Sequence, residues 1–122
     1  SLNSKSVTGK GFAQLNHLDS LKSLSLSWSG IDDAGLAKIA SLPAVTELSL
    51  YLTQVGDQGI VHLKKLPRLE SLHLSGTKVT DACIAQLKEL PHLQIVYLSG
   101  TQITDQGAME IREALPKCDV NN

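Results

Sequence analysis

Aromatic residues are scarce in this 122-residue chain, which contains one Trp, two Tyr and one Phe. Hydrophobic residues nevertheless make up 42% of the sequence, so a core must be built almost entirely from Leu, Ile and Val. A chain of this length has room for one domain. These proportions predict a single domain, residues 1–122, whose core consists of aliphatic layers.

An excess of charge and long apolar runs are also missing. The formal net charge is -1, which gives no reason to expect a nucleic acid or an anionic membrane as partner. No apolar run approaches the roughly 18 residues that a bilayer-spanning helix needs. We therefore expect neither nucleic acid nor membrane to be bound.

The two cysteines, Cys83 and Cys118, are too few for a disulfide scaffold. Cys83 falls on an apolar repeat position, which favours a small buried thiol and, weakly, a reducing cytoplasmic compartment. The first six residues include neither Met nor an apolar signal core. We interpret the chain as a piece or processed product of a longer protein, which leaves a removed secretion signal open.

The chain repeats itself every 24 residues. Leucine-spaced segments of the form Leu-x-x-Leu-x-Leu, with Val in two places, begin at Leu21, Val45, Leu69 and Leu93. A fixed internal period indicates stacked structural units, each burying its apolar face against the next. The predicted units are a partial repeat at 7–20, full repeats at 21–44, 45–68, 69–92 and 93–116, and a strand stub at 117–122.

The two halves of each repeat have different periods. Leu24-Ser-Leu26 alternates, as a short strand with one buried face does. Ile84, Leu87 and Leu90 step by three, as on the buried stripe of a short helix. Because every unit runs in the same direction, the strands must be parallel. They line the inner, concave side of an arc, since helices are wider and need the longer convex side.

The pattern from Leu69 to Val79, Leu-x-x-Leu-x-Leu-x-x-Thr-x-Val, resembles the leucine-rich repeat. The resemblance implies an α/β solenoid with parallel strands on the concave face and short helices on the convex face. It also implies that Thr53, Thr77 and Thr101 bond turn backbone in a ladder along the stack. The Thr-x-x-x-Asp-x-Gly that begins at Thr53 and at Thr101 is similar to bacterial Thr/Asp-containing repeats, including those beside F-box domains and in some effectors.

The residues between the buried leucines face outward on the concave sheet. Three of the four aromatic residues fall there, and Trp and Tyr are enriched at binding hot spots. We expect one cluster on the first two repeats and a second on the last two. The predicted partner-binding residues are Trp28, Glu47, Tyr51, Leu52, His73, Ile95 and Tyr97.

These residues favour non-enzymatic recognition of a protein or peptide. Two alternatives remain: a carbohydrate surface in which Trp28, Tyr51 and Tyr97 stack on sugar rings, and a passive spacer whose aromatics only shield the sheet. Solenoid ends without polar caps would also allow end-to-end self-association. Gly76 and Gly100 are expected to serve the turn after the strand and to leave a shallow groove opposite Trp28.

Catalytic and metal chemistry finds no support in the sequence. The aspartates that recur every 24 residues are interpreted as helix caps rather than calcium ligands, because calcium needs six to eight oxygens at one point. In the third repeat either Thr80 or Asp81 can cap the helix. The histidines show no metal-ligand spacing, and no serine has a base and an orienting acid arranged behind it. We expect no enzyme activity and no cofactor. The residues concerned are Asp33, Asp57, Asp81 and Asp105, and His17, His62, His73 and His92.

Overall fold

The computed structural model describes residues 21–38 and 42–122. The predicted partial repeat at 7–20, His17 included, lies outside the described residues. None of the helices within those ranges is both long and apolar enough to cross a membrane.

A single parallel sheet of five strands runs through the described part of the chain in sequential order. Every strand pair joins residues 24 apart: Leu24 is opposite Leu48, Leu72 is opposite Val96, and the same spacing continues to Val120. The predicted parallel register is therefore confirmed. The strands are β1 (Ser23–Ser25), β2 (Glu47–Ser49), β3 (Ser71–His73), β4 (Ile95–Tyr97) and β5 (Asp119–Asn121).

Short helices follow the strands and cover the other side of the core. Prolines stand directly after the leucine that closes each unit, and a proline cannot continue a helix internally. In the third unit the helical segment begins with a 3₁₀ turn, and in the second unit it ends with a 3₁₀ helix. The elements are α1 (Asp33–Ala37), α2 (Asp57–Ile60) with a 3₁₀ helix at Val61–Lys65, a 3₁₀ helix at Asp81–Cys83 with α3 (Ile84–Leu87), and α4 (Asp105–Ala114).

The core of the described units is aliphatic, as the composition predicts. Leu24, Leu48, Leu72 and Val96 form one layer through the stack, and each is at most 2% exposed. Complete burial of such a side chain contributes about 1.5–3 kcal/mol. No aromatic side chain belongs to the buried set of the described units, which leaves the rings for the surface.

The threonine column bonds turn backbone, but within each turn rather than along the stack. The Thr53, Thr77 and Thr101 hydroxyls donate to the carbonyls three residues earlier, at 2.8, 2.6 and 2.7 Å. A hydroxyl is too short to reach the neighbouring turn as well. The ladder implied by the resemblance is therefore wrong for these residues, although their position in the turn is as expected.

The aspartate column supplies the links between repeats. The Asp33 carboxylate accepts the Gly56 backbone N–H at 2.6 Å. In the next unit Asp57 accepts both the N–H and the hydroxyl of Thr80, at 2.7 and 2.6 Å. Asp81 accepts the same two groups of Thr104, at 2.9 and 2.7 Å.

Helix capping falls to the residue before each of these aspartates. The N-caps are Asp32, Gly56, Thr80 and Thr104, and only the glycine has no side chain with which to cap. The interpretation of the aspartate column as helix caps is therefore wrong, whereas Thr80, the alternative cap in the third unit, is confirmed by its bond to the Ala82 N–H at 3.2 Å. These aspartates occupy the first turn, where a negative charge suits the helix dipole, and their oxygens reach the adjacent unit.

Polar groups close the C-terminal side of the sheet. The Arg112 guanidinium of α4 donates to the Val120 carbonyl at 3.0 Å and to the Asn122 side chain at 2.7 Å. Because β5 is the edge of the described sheet, this guanidinium fills an acceptor that a further strand would use. The sequence pattern did not predict polar groups at this end.

Candidate functional site

Four rings form one row across the outward face of the sheet. Trp28 and Tyr51 meet edge to face, with centroids 5.6 Å apart and planes at 89°. Tyr51 stacks on His73 at 4.9 Å and 24°, and His73 lies 4.8 Å from Tyr97 at 50°. The prediction of two separate clusters is wrong, because the Tyr51–His73 contact joins them.

The row runs diagonally because its members come from different positions of the repeat. Tyr51 lies two residues beyond β2, whereas His73 and Tyr97 lie on β3 and β4 at paired positions. Diagonal neighbours on adjacent strands are within reach of aromatic side chains. A comparison of residues exactly one period apart overlooks such contacts.

Trp28 and Leu52 have left-handed backbone, with φ of 63° and 56°. Each is the third residue of a tight turn closed by a backbone hydrogen bond, Ser29 N–H to the Leu26 carbonyl in the first case. This turn position normally carries glycine or asparagine. A bulky residue there costs about 1–3 kcal/mol and persists only where the surroundings fix it.

The next two units have glycine at this position, as expected. Gly76 and Gly100 have φ of 75° and 72°. The Leu52 side chain lies against Gly76 so closely that a β-carbon there would collide with it. The shallow groove expected along both glycines is therefore filled at Gly76.

The rings rise beside a hydroxyl-lined hollow of about 200 Å³. Ser27 and Ser49 share a hydrogen bond of 2.7 Å, and Ser25 donates to Ser27 at 3.1 Å. Glu47, an exposed residue, is the only charged residue in the lining. The remaining lining residues are Ser23, Leu24, Ser25, Leu48, Ser49, Ser71, His73 and Tyr97.

His73 is half-buried between two tyrosine rings, and this burial lowers the pKa of its imidazole below 6.5. Its ring makes no hydrogen bond with Ser49, Ser71 or Glu47 in the described structure. The Ser49 hydroxyl is instead engaged by Ser27. A nucleophile needs a base within hydrogen-bond reach, so this group of residues has no catalytic arrangement.

The two thiols are buried and weakly acidic. Cys83 is fully buried; burial, and next the Asp57 carboxylate, raise the pKa of its thiol to about 12. Burial also raises the pKa of Cys118. The predicted small buried thiol at Cys83 is confirmed. Within residues 21–38 and 42–122, no cluster of three His, Cys, Asp or Glu side chains is placed to hold a metal ion.

A second hollow of about 200 Å³ lies on the helical side, between the second and third units. Ile60, Leu66, Pro67, Leu90 and Pro91 make its walls largely apolar. It lies in the gap between successive short helices, and Lys64, Gln86 and Glu89 are the polar residues of its lining.

The seven predicted site residues all lie on or beside the outward face of the sheet. Trp28 is 55% exposed, whereas Tyr51, Leu52, His73, Ile95 and Tyr97 are half-buried and Glu47 is exposed. The structure adds Ser49 and Ser71, which line the hollow, and Asp119, which pairs with Ile95. These three occupy the same outward positions of the repeat, which is the signal by which they can be found.

Comparisons with known proteins agree with this architecture. A family model described as "Leucine Rich repeat" matches residues 17–40 and 89–111. The chain therefore contains leucine-rich repeats at these two places. Among curated proteins no match was found.

Solved structures support the same fold. A structure described as Chaetomium Mex67:Mtr2 subunits has 22% sequence identity and a TM-score of 0.53, with 93% of this chain and 69% of that chain covered. At this identity the likeness concerns the fold alone. The leucine-rich repeat, with its parallel sheet on one side and short helices on the other, is therefore supported by sequence and by structure.

Proposed function

We propose that this leucine-rich repeat protein is a non-enzymatic recognition module that binds a protein or peptide on its concave sheet. Trp28, Tyr51, His73 and Tyr97 supply the central contacts, and Glu47, Leu52 and Ile95 flank them. Leucine-rich repeats generally mediate protein–protein interaction.

The observation that carries the proposal is the exposed ring row with a strained tryptophan at its end. A surface tryptophan in left-handed backbone costs stability that glycine would spare. Trp28 remains 55% exposed, so burial in the described structure offsets little of that cost. Rigid, partly exposed aromatic side chains are the residues that dominate binding energy at interfaces.

Ring packing also bears on the carbohydrate alternative. Stacking on sugars requires open ring faces, but Tyr51 covers one face with His73, and His73 packs on Tyr97 as well. These contacts leave less open ring face for a sugar to stack on, which favours the mixed contacts of a polypeptide.

Peptide display tests the proposal directly. Peptides are selected on the wild-type chain and then measured against the double variant Trp28→Ala/Tyr51→Ala. We expect affinity to fall at least about tenfold, while the variant stays folded and loses about 1–3 kcal/mol in its free energy of unfolding, because two ring contacts are removed.

Met109→Ala is the matched control, because Met109 is 50% exposed and lies on α4, away from the ring row. It should leave affinity unchanged. Equal affinity of the double variant and the wild type would remove the proposal, and selective binding on a glycan array would replace it. Sedimentation of the same samples reports any end-to-end association.

A further inference from the structure

The outward positions of the five described strands have an uneven charge distribution. They carry two carboxylates, Glu47 and Asp119, and neither Lys nor Arg. The nearest basic residues along the chain, Lys22 and Lys117, stand just before β1 and β5 rather than on them. The face is therefore complementary to a positively charged ligand.

The hollow beside the ring row is the part of this face best suited to bind a positively charged group. Its polar lining consists of the Glu47 carboxylate and serine hydroxyls, among them Ser49 and Ser71, with His73 and Tyr97 as its aromatic wall. Carboxylate oxygens only accept hydrogen bonds, and hydroxyl oxygens accept them readily. A ligand group with several donors and a positive charge fits such a lining.

We propose that the hollow lined by Glu47, Ser49, Ser71, His73 and Tyr97 binds the guanidinium group of an arginine side chain from the partner. This inference rests on the proposed function, because it assigns one contact of the same concave face. A guanidinium has five donors in a planar fork that matches a carboxylate, and its flat face packs against aromatic rings. A lysine ammonium has neither the fork nor the flat face.

The charge state of His73 is compatible with the binding of a guanidinium. Burial between its neighbours holds the pKa of the imidazole below 6.5, so the ring is uncharged at neutral pH and does not repel a cation. The ionisable groups that face it are Glu47 and Tyr51 from the β2 side and Tyr97 from β4. Protonation of His73 in acid adds a positive charge to the hollow and weakens the binding.

Nuclear magnetic resonance titration with three small probes tests the inference. N-acetyl-arginine methylamide, its lysine analogue and its uncharged citrulline analogue are added to the labelled chain at millimolar concentration. We expect saturable shifts at Ser49, Ser71 and His73 with the arginine probe, weaker shifts with lysine and none with citrulline. Glu47→Gln should reduce the arginine affinity about fivefold, the upper range for an exposed ion pair.

Glu89→Gln is the control, because it removes the same charge from a residue that lines the hollow on the helical side. It should leave the arginine titration unchanged. Equal shifts with citrulline or lysine, no saturable shift, or an unchanged affinity of Glu47→Gln would each overturn the arginine assignment. Display peptides that lack arginine yet depend on Trp28 and Tyr51 would overturn it while leaving the proposed function intact.

Discussion

The Asp57 carboxylate accepts two hydrogen bonds from Thr80, one from the backbone N–H at 2.7 Å and one from the hydroxyl at 2.6 Å. The two residues are 23 positions apart and belong to adjacent repeats. The bond joins the first helical turn of one unit to the helix N-cap of the next. It is therefore a joint between coils, and each coil depends on its neighbour through it.

Asp57→Ala should destabilise the fold by about 2 kcal/mol, because it leaves two donors of Thr80 without their acceptor. Urea unfolding measures the change. Asp105→Ala is the matched control, since the Asp105 carboxylate meets only the Asn122 amide at 3.4 Å; its effect should stay below about 0.5 kcal/mol. An equal loss of unfolding free energy in the two variants would contradict the role of Asp57 in joining the repeats.

Gly107→Ala should destabilise although alanine favours helices by about 1 kcal/mol over glycine. A β-carbon at Gly107 would collide with the Asp81 carboxylate, which must then move from its bonds to Thr104. The expected loss is about 1–3 kcal/mol. Combining it with Asp81→Ala removes the nearest obstacle and leaves only the end of the Ile84 side chain close to the new β-carbon, so the double variant should deviate from additivity by about 1 kcal/mol.

Trp28→Gly should be more stable than Trp28→Ala by about 1 kcal/mol, because only glycine adopts left-handed backbone without a β-carbon clash. Both variants lose the indole and its edge contact with Tyr51, so the comparison isolates the backbone. Thermal unfolding provides the measurement. An alanine variant as stable as the glycine variant would argue against strain at this turn.

Cys83 should react with a disulfide reagent only through unfolding. The pKa of its thiol is raised to about 12 by burial and by Asp57. The free energy of unfolding is therefore unaffected by this thiol below the unfolded pKa of about 9, and it declines as the pH rises from 9 towards 12. The wild type should lose more stability over this window than Cys83→Ala. Parallel pH profiles of the two proteins would contradict the assignment.

His73 should titrate below 6.5 in the folded chain, since burial disfavours the imidazolium. In acid the unfolded chain binds this proton more readily than the folded chain does. The free energy of unfolding is therefore unaffected by His73 above pH 6.5 and falls as the pH drops through the folded pKa. Tyr51→Ala opens one face of the ring to water and should raise the pKa towards 6.5. Histidine carbon proton shifts in the two proteins give the comparison, and a wild-type pKa at or above 6.5 would contradict it.

The 24-residue period predicted the features that depend only on sequence spacing. The strands, their parallel register and the outward side of His73 and Tyr97 follow from it, because alternation fixes which side a residue faces. The joint made by Asp57 did not follow, since it depends on the angle between successive turns. The Tyr51–His73 contact was missed for a related reason: its partners are 22 residues apart and meet on a diagonal.

The threonine column shows a further limit of sequence reasoning. Thr77 occupies the expected turn, but whether its side chain reaches the adjacent coil or only the Leu74 carbonyl of its own turn depends on a side chain that is one bond shorter than asparagine. The sequence predicted the left-handed turn only where a glycine stands, at Gly76 and Gly100. At Trp28 and Leu52 the same conformation was concealed by residues that rarely adopt it.

Gly56 makes one joint weaker than the two that follow it. Asp33 receives a single hydrogen bond there, whereas the later joints receive two, because a glycine brings no hydroxyl. Two other side-chain hydrogen bonds join the same units: Lys65 donates to the Ala37 carbonyl at 2.8 Å, and Ser27 and Ser49 share a bond of 2.7 Å. Trp28 and Tyr51 stand on opposite sides of this boundary, so a partner that contacts both rings would hold together the two units whose aspartate joint has only one hydrogen bond.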